Sequence, residues 1–318
     1  MCTRLLRSTS REIIITDRLR DGTKWQNFRH HPPSRIIAPE DLTAWLASKP
    51  KLDAIVHMGA ISATTARDGD LVWHSNVAFS QRLWAWCAAN GVRLIYASFA
   101  ATYGDGLQGF DDDEGTAALS RLRPLNLYGW SKQAFDLWAA NEIEAGRPRP
   151  PQWVGLKFFN VYGPNEYHKG SMISVVKVKH DEAVVGNPVR LFKSDRPDIA
   201  NGDQRRDFIW VGDVVDAILF LLNTPHVNGL FNLGTGIART YSDLARAVCA
   251  ANAVPQAEIE QRIQYIDMPA SLQGQYQSYT EARMDRLRAA GFNNAPTSLE
   301  EGVTKYIQEF LRKPDIYL

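Results

Sequence analysis

The chain has 318 residues, 45% hydrophobic and 22% charged, with a formal net charge of +1. That length suits one large or two modest α/β domains, and the near-zero charge gives no general electrostatic reason to bind nucleic acid or an anionic membrane. Cys2, Cys87 and Cys249 are scattered and odd in number, which suits reduced thiols in a cytoplasmic protein and matches no metal-site spacing.

Met1 to Arg11 is basic and carries Ser and Thr, but only Ile13, Ile14 and Ile15 follow as an apolar block. That block is too short for a signal-peptide core, and no run approaches the ~18 apolar residues of a membrane span. Ile13 to Thr16 reads as a strand, and Gly22 in Asp21-Gly22-Thr23 as a turn. The adjacent His30 and His31 point different ways, which fits a solvated loop better than a ligand pair. A second strand covers Ala54 to His57 and ends at Gly59-Ala60. Leu71 to Asn90 has helical spacing, with Val72, Phe79, Leu83 and Trp86 on one side. Arg93 to Ala97 is the next strand. Asp105 to Arg123 is a long acidic, Gly-containing loop, followed by a helix bearing Tyr128. A Pro-rich connection (Gly146 to Pro151) leads to the strand Trp153 to Phe159.

Beyond Gly163 the alternation becomes irregular, and Phe208 to Leu222 and Leu230 to Leu233 read as returns to the main sheet. The pattern predicts an α/β, Rossmann-like doubly wound parallel sheet with a smaller C-terminal substrate-binding region. The dinucleotide-binding part spans residues 1–162 with a return at 207–235, and residues 163–206 and 236–318 form the substrate-binding region. Gly234-Thr235-Gly236 comes too late for a phosphate cradle and reads as a tight strand-to-helix connection. No Gly-rich turn of the dinucleotide-binding kind lies ahead of the first apolar strand.

The most telling run is Tyr128-Gly129-Trp130-Ser131-Lys132. It sets a phenol and an ammonium four residues apart on one helix face. A fixed cation nearby favours the phenolate, so Lys132 is expected to lower the Tyr128 pKa toward a range useful for proton transfer. The spacing alone is weak, and its surroundings decide.

Those surroundings are specific. They comprise Asp17 with Asp21-Gly22-Thr23-Lys24, the run from Tyr96 to Gly104, the run from Leu125 to Lys132, and Phe159-Asn160-Val161-Tyr162-Gly163-Pro164 leading into His168-Lys169-Gly170-Ser171-Met172. Arg206-Asp207-Phe208, the run from Phe231 to Gly236, and Gly274-Gln275-Tyr276-Gln277 complete the set. On these residues the chain resembles the extended short-chain dehydrogenase/reductases and, within them, the ADP-L-glycero-D-manno-heptose 6-epimerases. The likeness runs from about Ile13 to Phe310. It implies an isomerase of lipopolysaccharide heptose biosynthesis that inverts C6 of an ADP-heptose-type nucleotide sugar by transient oxidation. NADP, or alternatively NAD, is the implied cofactor, and a cytoplasmic homo-oligomer without nucleic-acid or membrane partners is implied with it.

By the same resemblance Tyr128 and Lys169 are the two proton-handling groups, and Lys132 binds the nicotinamide ribose. Cofactor contacts fall to Asp17, Arg18, Lys24, Gly59, Ala60, Ser62, Asn76, Lys132, Val161 and Lys169. Substrate contacts fall to Asn160, Ser171, Phe192, Arg206 and Tyr276. Four of these have plain alternatives: Lys169 as an exposed loop lysine, Arg18 and Lys24 as a solvated charged turn, and Arg206 with Asp207 as a surface ion pair. A 4,6-dehydratase would want an acid pair where Ala100 and Ala101 stand, and a silent nucleotide-sugar-binding or assembly protein would keep the pocket without turnover.

The chain departs from the family pattern twice. Phe99 stands where family members carry a Ser or Thr whose hydroxyl bonds the reacting oxygen. Ser98 is expected to point to the other side of the strand, and Thr102 is not expected to substitute. The family's first strand, Gly-rich turn and most of its first helix have no counterpart, so Met1 to Glu12 reads as a short leader entering the family's second strand, here Ile13 to Thr16. The gene product is then either truncated or a paralogue that no longer turns over. A missing first strand leaves a central position of the sheet unpaired.

Overall fold

The computed structural model describes residues 12–20, 22–269, 274 and 277–318. Two short strands, β1 (Ile14–Thr16) and β2 (Arg35–Ile37), pair in parallel as a unit of their own. The main sheet is parallel and four-stranded, in the order β3 (Ala54–His57), β4 (Arg93–Phe99), β5 (Trp153–Phe158) and β9 (Gly229–Leu233). Among the described residues β3 is therefore an edge strand. β5, between β4 and β9, is buried at every position, as the interior of a two-sided sheet requires; β9, the other edge, is buried as well because Asp112, Glu114 and Arg286 bond its backbone, while all of β3 is only half-buried. Among the described residues the β1–β2 pair and the four-stranded sheet are thus two separate pieces.

Helices cover both faces of the main sheet. Leu94 and Tyr96 pack with Trp84, Cys87, Phe135 and Ala139 from the Phe79–Asn90 and Leu127–Glu144 helices. Ile95, alternating to the other face, joins Val214, Ala217, Ile218 and Leu221 of the Val211–Asn223 helix. The β1–β2 unit is followed by the Pro39–Ala47 helix, whose Leu42 and Leu46 pack on Leu83. Trp86 Nε1 donates to the Leu46 carbonyl at 3.0 Å. His30 lies on an exposed bend, as expected, and also bonds Asp315 at 2.7 Å; Arg29 pairs with the same carboxylate, so this segment is tied to the far end of the chain.

A second sheet joins β6 (Asn160–Tyr162), β8 (Arg205–Trp210) and β10 (Ala238–Thr240), with β8 in the middle. A parallel pair joins β7 (Val189–Phe192) and β11 (Ile263–Ile266). Two expectations need correction here. The segment Phe208 to Leu222 does not return to the main sheet, because its strand pairs with β6 and β10 before the chain enters a helix. The Gly234-Thr235-Gly236 turn joins two strands, β9 and β10, rather than a strand and a helix. It cradles no phosphate, since the Asp207 carboxylate accepts from the Thr235 and Gly236 N–H groups at 2.7 and 2.9 Å. A Cβ at Gly234 would lie 2.6 Å from that carboxylate, so only glycine fits. The long acidic loop also holds a one-turn helix, Thr116–Leu119. No helix among the described residues is long and apolar enough to cross a membrane.

Candidate active site

The Leu127–Glu144 helix begins at Asn126, whose side chain accepts from the Gly129 N–H at 2.9 Å and caps the first turn. Gly129 lets that turn approach the segment after β4: a Cβ there would meet the Ala101 carbonyl at 2.8 Å. This close approach seats Tyr128 and Lys132 at the C-terminal end of β4, where ligands bind in open parallel sheets. Tyr128 is 7% exposed and Lys132 5%. Lys132 Nζ donates to the Ala97 carbonyl at 2.7 Å and lies 6.0 Å from the centre of the Tyr128 ring.

The electrostatics differ from the sequence-based expectation. Burial pushes the Tyr128 phenol up, not down, and pushes Lys132 down to about 8, partly opposed by Asp136. Desolvation penalises whichever form is charged. Here it outweighs the cation, because Lys132 is engaged with Ala97 and the Phe99 ring packs against Tyr128 at 5.4 Å between centroids.

Neither neighbouring hydroxyl replaces the one missing at Phe99. Ser98 faces the helix and donates to Asp136 at 2.6 Å, while Thr102 accepts from Lys157 Nζ at 2.8 Å. Both are fully buried. The side of the strand expected for Ser98 is the side it occupies.

The cofactor candidates fall into two groups. Asp17 bonds Lys24 at 2.5 Å, and Arg18 pairs with Glu40. This charged turn stands beside the Tyr167–Ser171 loop: Asn27 bonds His168 at 3.1 Å, and the nearby Lys24 and Lys169 add to the burial that pushes His168 down. Lys169 and Ser171 are exposed on that loop. The second group lies after β3. Asn76 grips the backbone of Ile61 through both of its side-chain ends and also bonds Ser131, which fixes the Gly59–Ser62 loop against the Tyr128 helix. Nothing lies within 4 Å of a Cβ built on Gly59, so that loop is open to a ligand.

These residues fit the two ends of a dinucleotide, with an acid and cations for one ribose and Lys132 for the other. They do not fit its middle. Among the described residues no Gly-rich turn into a helix N-terminus offers N–H groups to a pyrophosphate.

Asn160 and Arg206 sit on adjacent strands of the second sheet, Asn160 being paired with Phe208. Arg206 is 5% exposed and lies under the Tyr241 ring, so it is no surface ion pair with Asp207, which instead bonds the Thr235 turn. Val161 is half-buried in β6, and Phe192 ends β7, on a different sheet. Tyr276 lies outside the described residues. Gln277 next to it, quoted with the motif but given no role, donates to the Gly104 carbonyl at 2.6 Å and so reaches the loop after β4. Sequence reasoning also passed over Asp136 and Lys157; an acid one turn beyond Lys132 was the available signal.

His57 is a further group not foreseen. It bonds Ser80 at 3.0 Å and packs on Phe79, and burial, with Lys132 second, pushes it down to about 3. The folded chain then binds fewer protons than the unfolded chain between about pH 3 and 6.5, so this contribution to stability is complete above pH 6.5 and is lost as the pH falls. His57→Gln is expected to flatten the acid limb of stability by up to about 2 kcal/mol between pH 6.5 and 5. Urea unfolding of both proteins at the two pH values checks it.

Residues 1–234 match the NAD dependent epimerase/dehydratase family. The chain is 43% identical to the ADP-L-glycero-D-manno-heptose-6-epimerase of Fusobacterium nucleatum, over 97% of this chain and 93% of that protein. It is 46% identical to the protein of the same name from Nitratidesulfovibrio vulgaris, over 96% and 92%. In fold it is similar to the Helicobacter pylori ADP-L-glycero-D-manno-heptose-6-epimerase, with a TM-score of 0.75, 22% identity and coverage of 97% and 90%. It is similar too to Thermus thermophilus UDP-glucose 4-epimerase in complex with NAD, with a TM-score of 0.72, 23% identity and coverage of 96% and 92%. Together with a Tyr-x-x-x-Lys helix at the C-terminal edge of a parallel sheet, this match shows that the chain belongs to the NAD-dependent epimerase/dehydratase family.

Proposed function

We propose that the chain is a nucleotide-sugar epimerase of the ADP-L-glycero-D-manno-heptose 6-epimerase type, inverting C6 of an ADP-heptose in the cytoplasm as a homo-oligomer. The observation that carries the reading is the Tyr128–Lys132 pair, buried at the end of β4 on a glycine-permitted close approach. The relatives that bear this name at 43% and 46% identity support the substrate class. A bound NADP, or NAD, supplies the acceptor and donor of hydride. Asp17, Arg18 and Lys24 would hold its adenosine end and Lys132 its nicotinamide ribose.

The proton work falls to this chain's own groups. A phenol held above its ordinary range keeps its proton, so Tyr128 is suited to donating to a ketone oxygen, the reductive half of the cycle. Lys169 is exposed on the loop beside the Asp17–Lys24 turn, with the adenosine-end residues, so its service to the opposite face of the sugar rests on the family resemblance. Ala100 and Ala101, both buried, offer a 4,6-dehydratase none of the acids it needs.

One observation favours a second reading, a paralogue that binds the nucleotide sugar without turning it over: the Phe99 ring lies against Tyr128 where a hydroxyl belongs. The test is to supply millimolar NADP and either C6 epimer of the ADP-heptose, following interconversion by proton NMR. Slow interconversion that Tyr128→Phe and Lys169→Ala both abolish is the expected result. Saturable sugar-nucleotide binding with no interconversion establishes the second reading instead.

A further inference from the structure

One helical turn beyond Lys132, on the same face of the helix, stands Asp136. It is 3% exposed, and its Oδ2 accepts from Ser98 Oγ at 2.6 Å and Lys157 Nζ at 2.9 Å. The Tyr96 hydroxyl donates to its Oδ1 at 3.3 Å. Lys157 also lies 5.0 Å from the Tyr103 ring centre, and both side chains of the Asp136–Lys157 pair are 0% exposed. Tyr96 and Ser98 flank Ala97, the residue whose carbonyl takes the Lys132 ammonium. One carboxylate therefore grips β4 on both sides of the Lys132 acceptor, and does so a single turn from the ammonium itself.

A buried ion pair is not explained by stability, because a well-packed apolar pair in its place is commonly neutral or better.

We propose that Asp136, held in place by Lys157, is a positioning residue for the Tyr128–Lys132 pair: it fixes the Ala97 carbonyl and supplies the buried negative charge that keeps Lys132 an ammonium. The role of that ammonium rests on the epimerase reading above. Burial pushes Lys132 down to about 8, and Asp136 is the group that opposes it. The other groups facing the site are Tyr128 on the same helix, His57 from β3, Tyr96 from β4 and Lys157 from β5. None of them replaces the negative charge, since burial pushes both phenols up and His57 is neutral at physiological pH. Without Asp136, desolvation acts on Lys132 unopposed and yields a neutral amine near neutral pH.

The test is the titration of Lys132 in protein labelled with 13C-lysine, its resonance assigned by its loss in Lys132→Met. Asp136→Asn alone leaves Lys157 buried and unpaired and is expected to unfold the protein. The D136N/K157M double variant removes both charges at nearly constant volume. Its Lys132 midpoint is expected to fall by about one pH unit or more while the fold is kept. D136L/K157L carries the same expectation and serves if the first double variant does not fold. A folded double variant whose Lys132 titrates as in the parent overturns the proposal. The titration needs no substrate, so its failure leaves the epimerase reading standing, and absent interconversion leaves the titration readable.

Discussion

A strand, a Gly-rich turn and a helix fused ahead of Glu12 are expected to tighten NADP binding about 10²–10³-fold, since charge-assisted bonds from helix-terminal N–H groups to a pyrophosphate contribute roughly 1.5–3 kcal/mol each. The structure shows where such a strand would lie. Among the described residues β3 is an edge strand of the four-stranded sheet, and β1 and β2 pair only with one another. β3 is half-buried where β5 and the other edge strand, β9, are completely buried, which fits a side that no described strand covers. The helix is part of the graft because a parallel connection requires a crossover of about a dozen residues or more. Titration of NADPH fluorescence against both proteins measures the gain. An unchanged dissociation constant in a folded graft would mean that β1 is not the neighbour of the inserted strand and that Asp17 does not face a ribose.

Phe99→Ser is expected to act only where the dinucleotide is held. In the grafted protein it raises kcat for C6 inversion by about 10²–10³, the usual effect of one hydroxyl that bonds the developing oxyanion. It also removes the ring now 5.4 Å from Tyr128, which relieves part of the burial that pushes the phenol up. In the parent, assayed at micromolar NADP, the same exchange leaves turnover where it was. Kinetics of the four combinations separate the two effects: the graft changes the KM for NADP, and Phe99→Ser changes kcat. A single Phe99→Ser variant with rapid turnover at micromolar NADP would refute the weight placed on the pyrophosphate site.

Much of the architecture was legible because its signals are short-range. Ala54–His57 carries an apolar β run bounded by turn residues, and the strand begins and ends where that run does. The Tyr128 helix has its Asn126 cap two residues before the tyrosine. The Phe208–Leu222 segment was misassigned for the opposite reason. An apolar strand reads alike whichever sheet it joins, and only the pairing of Asn160 with Phe208 and of Ala238 with Asp207 decides the matter. A surface ion pair stood as the alternative to a substrate contact for Arg206 because the sequence places Asp207 beside it. In a strand, neighbouring side chains leave by opposite faces, and Asp207 turned to the Thr235 loop.

By itself, then, the sequence determined the class of fold, the family and the Tyr128–Lys132 pair, because helical phase and strand periodicity are properties of neighbouring residues. Only the tertiary structure decided how the pair behaves and what supports it. The proton affinity of Tyr128 depends on burial and on the Phe99 ring from another element. The setting of Lys132 depends on Ala97 from β4 and on an acid clamped by Lys157 from β5. That β3 ends the four-stranded sheet among the described residues is likewise a fact about which strands meet. Desolvation and pairing across a sheet are set by segments far apart in the chain, and no local pattern records them.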